Sequence, residues 1–254
     1  MIQVCIVGTG KVAKAFANTI YSHQYFELVH VIGRSHIDFV KSLNSVTYSN
    51  NFTKLPACDL VIIAVSDDVI RTVSDQLPIA DAVVVHTSGA GPIELLSKHN
   101  KRGVLYPLQT FSKDKTNSVD NIPLFWEATG DGTNSLLEKV ATLLSHKSIQ
   151  IKSNQRIAIH LAAVVVNNFT NHLYAEAKLF CDANDIDFSH LFPLIEETTR
   201  KIKNQNPQEN QTGPAVRGDK ETILRHREID KRKELEDIYS LFTAQLLETR
   251  NEKL

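Results

Sequence analysis

Apolar residues come in short runs up to about residue 152 and at helical spacing beyond it. Ile2, Val4, Ile6 and Val7 form the first run, rich in the β-branched side chains that suit a buried strand. Gly8 and Gly10 interrupt it, and residues 11–20 resume at helical spacing with the small side chains Ala13, Ala15 and Ala17. Further strands are expected over 27–33, 46–48, 59–65, 82–86, 122–128 and 149–151, and helices over 39–43, 69–77, 92–99 and 133–144. The run at 59–65, DLVIIAV, is the least ambiguous strand and reads as one buried on both faces. Residues 104–111, VLYPLQTF, read either as loop or as part of a substrate pocket.

After residue 152 the character changes. Ile157, Leu161, Val164, Val165, Phe169, Leu173 and Leu179 recur with the period of one long helix over 154–181. Two more helices are expected over 191–202 and 223–247, with a loop at 204–219 between them. Strand–helix alternation followed by helices alone predicts an α/β protein. A doubly wound, mostly parallel Rossmann sheet over 1–152 is followed by an all-helical domain over 153–254.

The opening strand, turn and helix hold Gly8, Gly10 and Ala13 in the spacing G-x-G-x-x-A. In that context Gly8 permits a tight turn, Gly10 lets backbone approach a pyrophosphate, and Ala13 lets helix pack on strand. The helix N-terminus adds free N–H groups and a positive dipole end. Dinucleotide contacts are therefore expected from Gly8, Thr9, Gly10, Lys11, Val12 and Ala13. The second strand ends in Gly33, Arg34 and Ser35, without the acid that would bind a ribose 2′-hydroxyl. An arginine can pair a 2′-phosphate, which points to NADP(H); otherwise Arg34 is an exposed loop residue. Val65, Ser66 and Asp67 end one central strand and Thr87, Ser88 and Gly89 the next, where open α/β sheets place ligands. Asp67 can equally serve as a helix cap.

Charge is nearly balanced, with 28 basic and 29 acidic side chains, so nothing favours nucleic acid or an anionic membrane. No apolar run reaches the ~18 residues of a membrane span, and a strand starting at Ile2 leaves no room for a targeting peptide. Cys5, Cys58 and Cys181 lie far apart, without metal spacing or a disulfide framework. A cytoplasmic protein is expected, with no metal site.

VGTGKVA at the start, HTSGA at 86–90, YPLQTFS at 106–112, His160, Asn167-Asn168 and GPAVRGD at 213–219 together resemble the Rossmann-like, DUF2520-domain oxidoreductases. That family lies in the wider group of pyrroline-5-carboxylate reductase, 6-phosphogluconate dehydrogenase and ketopantoate reductase. The resemblance runs in order along nearly the whole chain. It implies an NADP-binding protein whose helical domain dimerises. The lysine that 3-hydroxyacid dehydrogenases of the wider group carry four residues before a helical asparagine is missing: Ala163 and Val164 stand there.

The expected activity is hydride transfer to or from a small carbonyl, imine or hydroxy compound bound between the domains. The alternative is a non-catalytic NADP-binding regulatory or scaffold protein. His160 can replace the lysine as proton donor, or be a core or interface histidine. Asn168 and Gln109 can orient substrate. Arg217 can hold a substrate carboxylate while Asp219 orients it or caps the next helix; alternatively the two pair to lock their loop.

Overall fold

The computed structural model describes residues 1–34, 38–111, 118–229 and 232–251. The chain divides into two compact units, Met1–Val164 and Val165–Leu254. In the first unit the strands are β1 (Ile2–Val7), β2 (Phe26–Ile32), β3 (Thr47–Ser49), β4 (Leu60–Ile63), β5 (Val83–His86), β6 (Arg102–Pro107), β7 (Leu124–Ala128) and β8 (Ser148–Gln150). They form one sheet in the order β3-β2-β1-β4-β5-β6-β7-β8, parallel except where β6 meets β7. Its helices are α1 (Lys11–Tyr21), α2 (Asp38–Lys41), α3 (Ile70–Gln76), α4 (Asp131–Leu144) and α5 (Ser153–Ala163).

Successive strand residues point to opposite faces, so each central strand feeds two cores. Val4, Ile6, Leu60 and Ile62 pack with Phe16, Ala17 and Ile20 of α1 and with Leu137 and Val140 of α4. Cys5, Val7, Val61 and Ile63 pack on the other side with Ile70 and Val73 of α3 and with Leu77. Both faces are covered, which is why these strands read as unbroken apolar runs. Cys5 and Cys58, distant in sequence, meet here: their hydrogen bond and burial push the Cys5 thiol up. All three cysteines are free.

Three elements differ from the sequence expectation. Residues 92–99 form only a 3₁₀ turn, Ile93–Leu96. The chain is drawn off after it because Lys98 Nζ donates to the carbonyls of Asp75 and Leu77 at 2.6 Å each, and His99 Nε2 bonds that of Ser74 at 3.2 Å. Residues 104–107 are not loop but the body of β6, buried between β5 and β7, and 108–111 leave the strand. The helix expected over 223–247 is assigned as two, α9 (Lys220–Ile229) and α10 (Lys233–Asn251).

In the second unit a π-helical segment, Val164–Phe169, enters from α5 and leads to α6 (Thr170–Ala183). Then come α7 (Phe192–Lys201), the short α8 (Pro214–Arg217), α9 and α10. Arg232 ties the start of α10 to α6, its Nη1 3.2 Å from Glu176 Oε2. Among the described residues no helix is long and apolar enough to cross a membrane.

The first unit also buries an ion pair. Arg156 of α5 is fully buried, and its Nε and Nη2 donate to Glu127 Oε1 of β7 at 3.1 and 2.7 Å. Ser153 Oγ donates to the other carboxylate oxygen at 2.7 Å. Arg156→Met strands the Glu127 carboxylate in the interior, a loss of about 3–5 kcal/mol. The sole tryptophan, Trp126, neighbours Glu127 in the buried strand, so its emission reads this unit's unfolding. We expect a lower urea midpoint for Arg156→Met and partial recovery when Glu127→Gln is added; an unchanged midpoint in the single variant would contradict this.

Candidate functional site

A cleft of about 600 Å³ opens at the carboxyl ends of β1, β2, β4 and β5. Gly8, Thr9, Gly10, Lys11 and Val12 line it at the first turn, and Gly33 and Arg34 at the end of β2. Val65, Ser66 and Asp67 follow β4, and Thr87, Ser88 and Gly89 follow β5. His160 of α5 completes the wall at that end. Ala13 is buried under the turn, and Ser35 lies outside the described residues.

Gly8 has φ +129°, and a Cβ there would stand 2.2 Å from the Ala64 carbonyl oxygen. No L side chain fits. A Cβ on Gly10 would meet no protein atom within 4 Å, so that backbone faces open cleft. Gly10 is the N-cap of α1, with neither a side-chain cap nor an acidic residue in the first turn. The first N–H groups of α1 are therefore unclaimed donors beside the dipole's positive end. At the end of β2, Tyr48 donates to the Gly33 carbonyl at 2.5 Å, and Arg34 is exposed.

The turn after β5 is braced from within. Ser88 Oγ donates to Asp67 Oδ2 at 2.7 Å and accepts from the N–H groups of Gly91 and Ala90 at 2.7 and 3.2 Å. Its hydroxyl is fully committed, so the turn presents backbone to the cleft. Asp67 caps no helix; its carboxylate goes to Ser88 instead. His86 Nδ1 accepts from the Ser88 N–H at 3.2 Å, and its Nε2 donates to the Pro92 carbonyl at 3.3 Å. Burial, and then the Arg156 charge, push His86 down to about 4, so the ring is neutral.

Arg156 extends this bracing. Its Nη1 donates to the carbonyls of Ser88 and Gly89 at 3.0 and 2.8 Å while its other nitrogens hold Glu127. One turn later on α5, His160 places Nδ1 3.0 Å from the Tyr106 hydroxyl. Burial pushes the Tyr106 phenol above its ordinary value.

The other predicted site residues stand apart from this cleft or belong to the second unit. Gln109 is exposed and accepts the Thr110 N–H on its own Oε1 at 2.9 Å. Asn168 is exposed on the π segment, where its Oδ1 accepts from Asn167 at 3.4 Å. Asp219 caps α9, accepting the Thr222 N–H at 3.0 Å and its hydroxyl at 2.7 Å, which holds its carboxyl below the usual range. Arg217 is exposed at the end of α8. Sequence reading missed Arg156 and Glu127, along with Phe52, Thr72 and Gln76 on the cleft wall; Tyr106 lay in the stretch read as loop or substrate pocket. The one available signal was Glu127, a lone carboxylate in an apolar strand, which calls for a buried partner.

Residues 122–246 match the family model described as a domain of unknown function, DUF2520. Among solved structures the chain is similar to a Bacteroides fragilis protein provisionally named an NADP oxidoreductase, at 29% identity and TM-score 0.83 over 97% of this chain and 98% of that one. It is similar to the Thermotoga maritima protein TM1727 at 26% identity and TM-score 0.71, over 98% and 99% of the two chains. It shares the fold, at 11% identity and TM-score 0.69 over 98% and 94%, with the Aspergillus terreus reductive aminase in complex with NADPH and ethyl levulinate. Comparison with curated proteins gives no match. The chain has a Rossmann fold, and its residues 122–246 are similar to the DUF2520 family model.

Proposed function

We propose that this protein is an NADP(H)-dependent oxidoreductase that transfers a hydride to or from a small carbonyl, imine or hydroxy compound. The observation that carries this is the cleft at Gly10, where open backbone and unclaimed helix N–H groups lie together at the carboxyl ends of parallel strands. Such a site fits a pyrophosphate. The Bacteroides fragilis relative supports the cofactor assignment.

The residues of the first turn would hold the pyrophosphate, and Arg34, with Ser35, the 2′-phosphate. The backbone of 87–89 and the residues after β4 would receive the nicotinamide half. Bound there, the cofactor supplies or accepts the hydride. His160, on the wall beside Gly89, exchanges the accompanying proton. Gln109, Asn168, Arg217 and Asp219 are the residues proposed to orient substrate. Asp219, already committed to α9, would act by fixing the loop that carries Arg217. In this reading residues 1–152 are the dinucleotide domain and 153–254 the helical domain of a cytoplasmic enzyme.

We further propose a homodimer formed through the helical domain. Among the described residues after Val164, only Glu176, Cys181 and Ala215 are buried. Val166, Phe169, Phe192, Leu194, Leu224 and Leu241 are all more than half exposed. Apolar surface on that scale favours a partner face, and closed twofold symmetry is its commonest form.

Three measurements bear on this reading. In fluorescence titrations NADPH binds about 10- to 100-fold more tightly than NADH, and Arg34→Asp removes or reverses that preference, as loss of a charge-assisted pair worth about 1.5–3 kcal/mol requires. Equal affinities in the unmodified protein would refute the 2′-phosphate assignment. Screening NADPH oxidation against keto acids and cyclic imines identifies a substrate. With it, Asn168→Ala and Arg217→Ala lower turnover or substrate binding while NADPH affinity stays within about threefold; normal turnover in both would remove them from the site. Light scattering at micromolar concentration gives twice the 28.5 kDa chain mass, and a monomer would end the dimer proposal.

A further inference from the structure

His160 is held at one ring nitrogen only. Its Nδ1 meets the Tyr106 hydroxyl at 3.0 Å, the two rings edge to face with centroids 5.7 Å apart. Its Nε2 makes no hydrogen bond to a described residue and is left to the cleft that the ring lines. Beneath the pair lies Gly89, where a Cβ would stand 2.5 Å from His160 Nδ1 and 2.7 Å from Tyr106 Cζ. The glycine is what lets imidazole and phenol meet. Arg156, on the same face of α5 one turn earlier, holds the Gly89 carbonyl at 2.8 Å and so fixes turn and helix together.

Building on the oxidoreductase reading, we propose that Tyr106 is a positioning residue for proton transfer: its hydroxyl engages Nδ1, so that His160 presents a protonated Nε2 to the substrate's carbonyl oxygen or imine nitrogen. A hydroxyl can donate or accept. Toward the neutral ring it donates to Nδ1, which keeps the ring proton on Nε2. Toward the imidazolium it accepts the Nδ1 proton. As a hydride from the reduced cofactor reaches the substrate carbon, the imidazolium gives its Nε2 proton to the atom gaining the electron pair. The ring keeps its Nδ1–H, which donates a hydrogen bond to the Tyr106 oxygen, and solvent restores the lost Nε2 proton. Oxidation runs the same transfers backwards.

The groups bearing on the pair are Arg156, whose charge is shared with Glu127, and Asp67, which is bonded to Ser88. Burial dominates at Tyr106 and raises the phenol, so the hydroxyl keeps its proton. His86, below the same turn, is neutral down to about 4.

The test is imidazole ¹⁵N NMR on the full chain without cofactor, with His160 assigned by the signal lost in His160→Gln. In the unmodified protein with the His160 ring neutral we expect a single Nε2–H tautomer with a hydrogen-bonded Nδ1. In Tyr106→Phe the Nδ1 resonance moves to its unbonded position and the Nδ1–H tautomer appears. Gly89→Ala, which parts the rings by another route, gives the same signature, and Trp126 emission confirms that both variants are folded. A neutral ring protonated on Nδ1 in the unmodified protein, or identical ¹⁵N shifts in Tyr106→Phe, overturns the proposal. Failure of NADPH to bind the unmodified protein would instead overturn the oxidoreductase reading and leave the tautomer result standing.

Discussion

A single buried guanidinium holds the β5 end of the cleft together. Arg156 joins β7 through Glu127, the turn after β5 through two carbonyls, and α5 through its own backbone. Each bond to the charged group contributes about 1.5–3 kcal/mol, but bringing both ions out of water consumes much of that gain. The consequence is geometric. Sliding α5 by one residue would leave Glu127 unpaired and two turn carbonyls without this donor, at a cost of about 3–5 kcal/mol for the stranded carboxylate. Helix, turn and strand are thereby locked in one register, and the position of His160 over Gly89 follows from it.

Two histidines stand near the turn after β5 in different surroundings. His86 is completely buried, has both nitrogens occupied, and is held neutral by burial and by Arg156. It stiffens the turn. His160 is half-buried, has one nitrogen occupied and lines the open cleft. One imidazole is thus tied at both nitrogens, and the other keeps one nitrogen on the cleft side. Environment alone makes the difference.

What could be read from the sequence follows the range of the interactions. The first strand–turn–helix is local: Gly8, Gly10 and Ala13 have conformational and packing reasons within a dozen residues, and the structure supplies each of them. The central strands were equally plain because burial on both faces leaves no polar alternation. β6 was obscured because Arg102 and Gly103 at its start and Pro107 at its end are weak strand formers, yet neighbours on both sides pair with it. Tertiary pairing overrode propensity. The bond from Arg156 to the Ser88 carbonyl spans 68 residues and the one from Tyr106 to His160 spans 54, and no local period records such pairs. A carboxylate inside the apolar run LFWEA was the only trace that such a clamp exists.

The two units also differ in how they satisfy their apolar residues. In the first, strand side chains alternate between two helix-covered faces, and β1, β4 and β5 are buried along almost their whole length. In the second, the helices carry enough apolar residues for a core, but most of these stay at least partly exposed. Polar bonds such as Arg232 to Glu176, and Asp219 capping α9, fix local geometry without removing that surface from water. Each Å² of apolar surface covered contributes roughly 25 cal/mol, so an association face a few hundred Å² in size would offset the ordering of many side chains. Among the described residues the first unit needs no such supplement, its sheet core being closed by the chain's own helices.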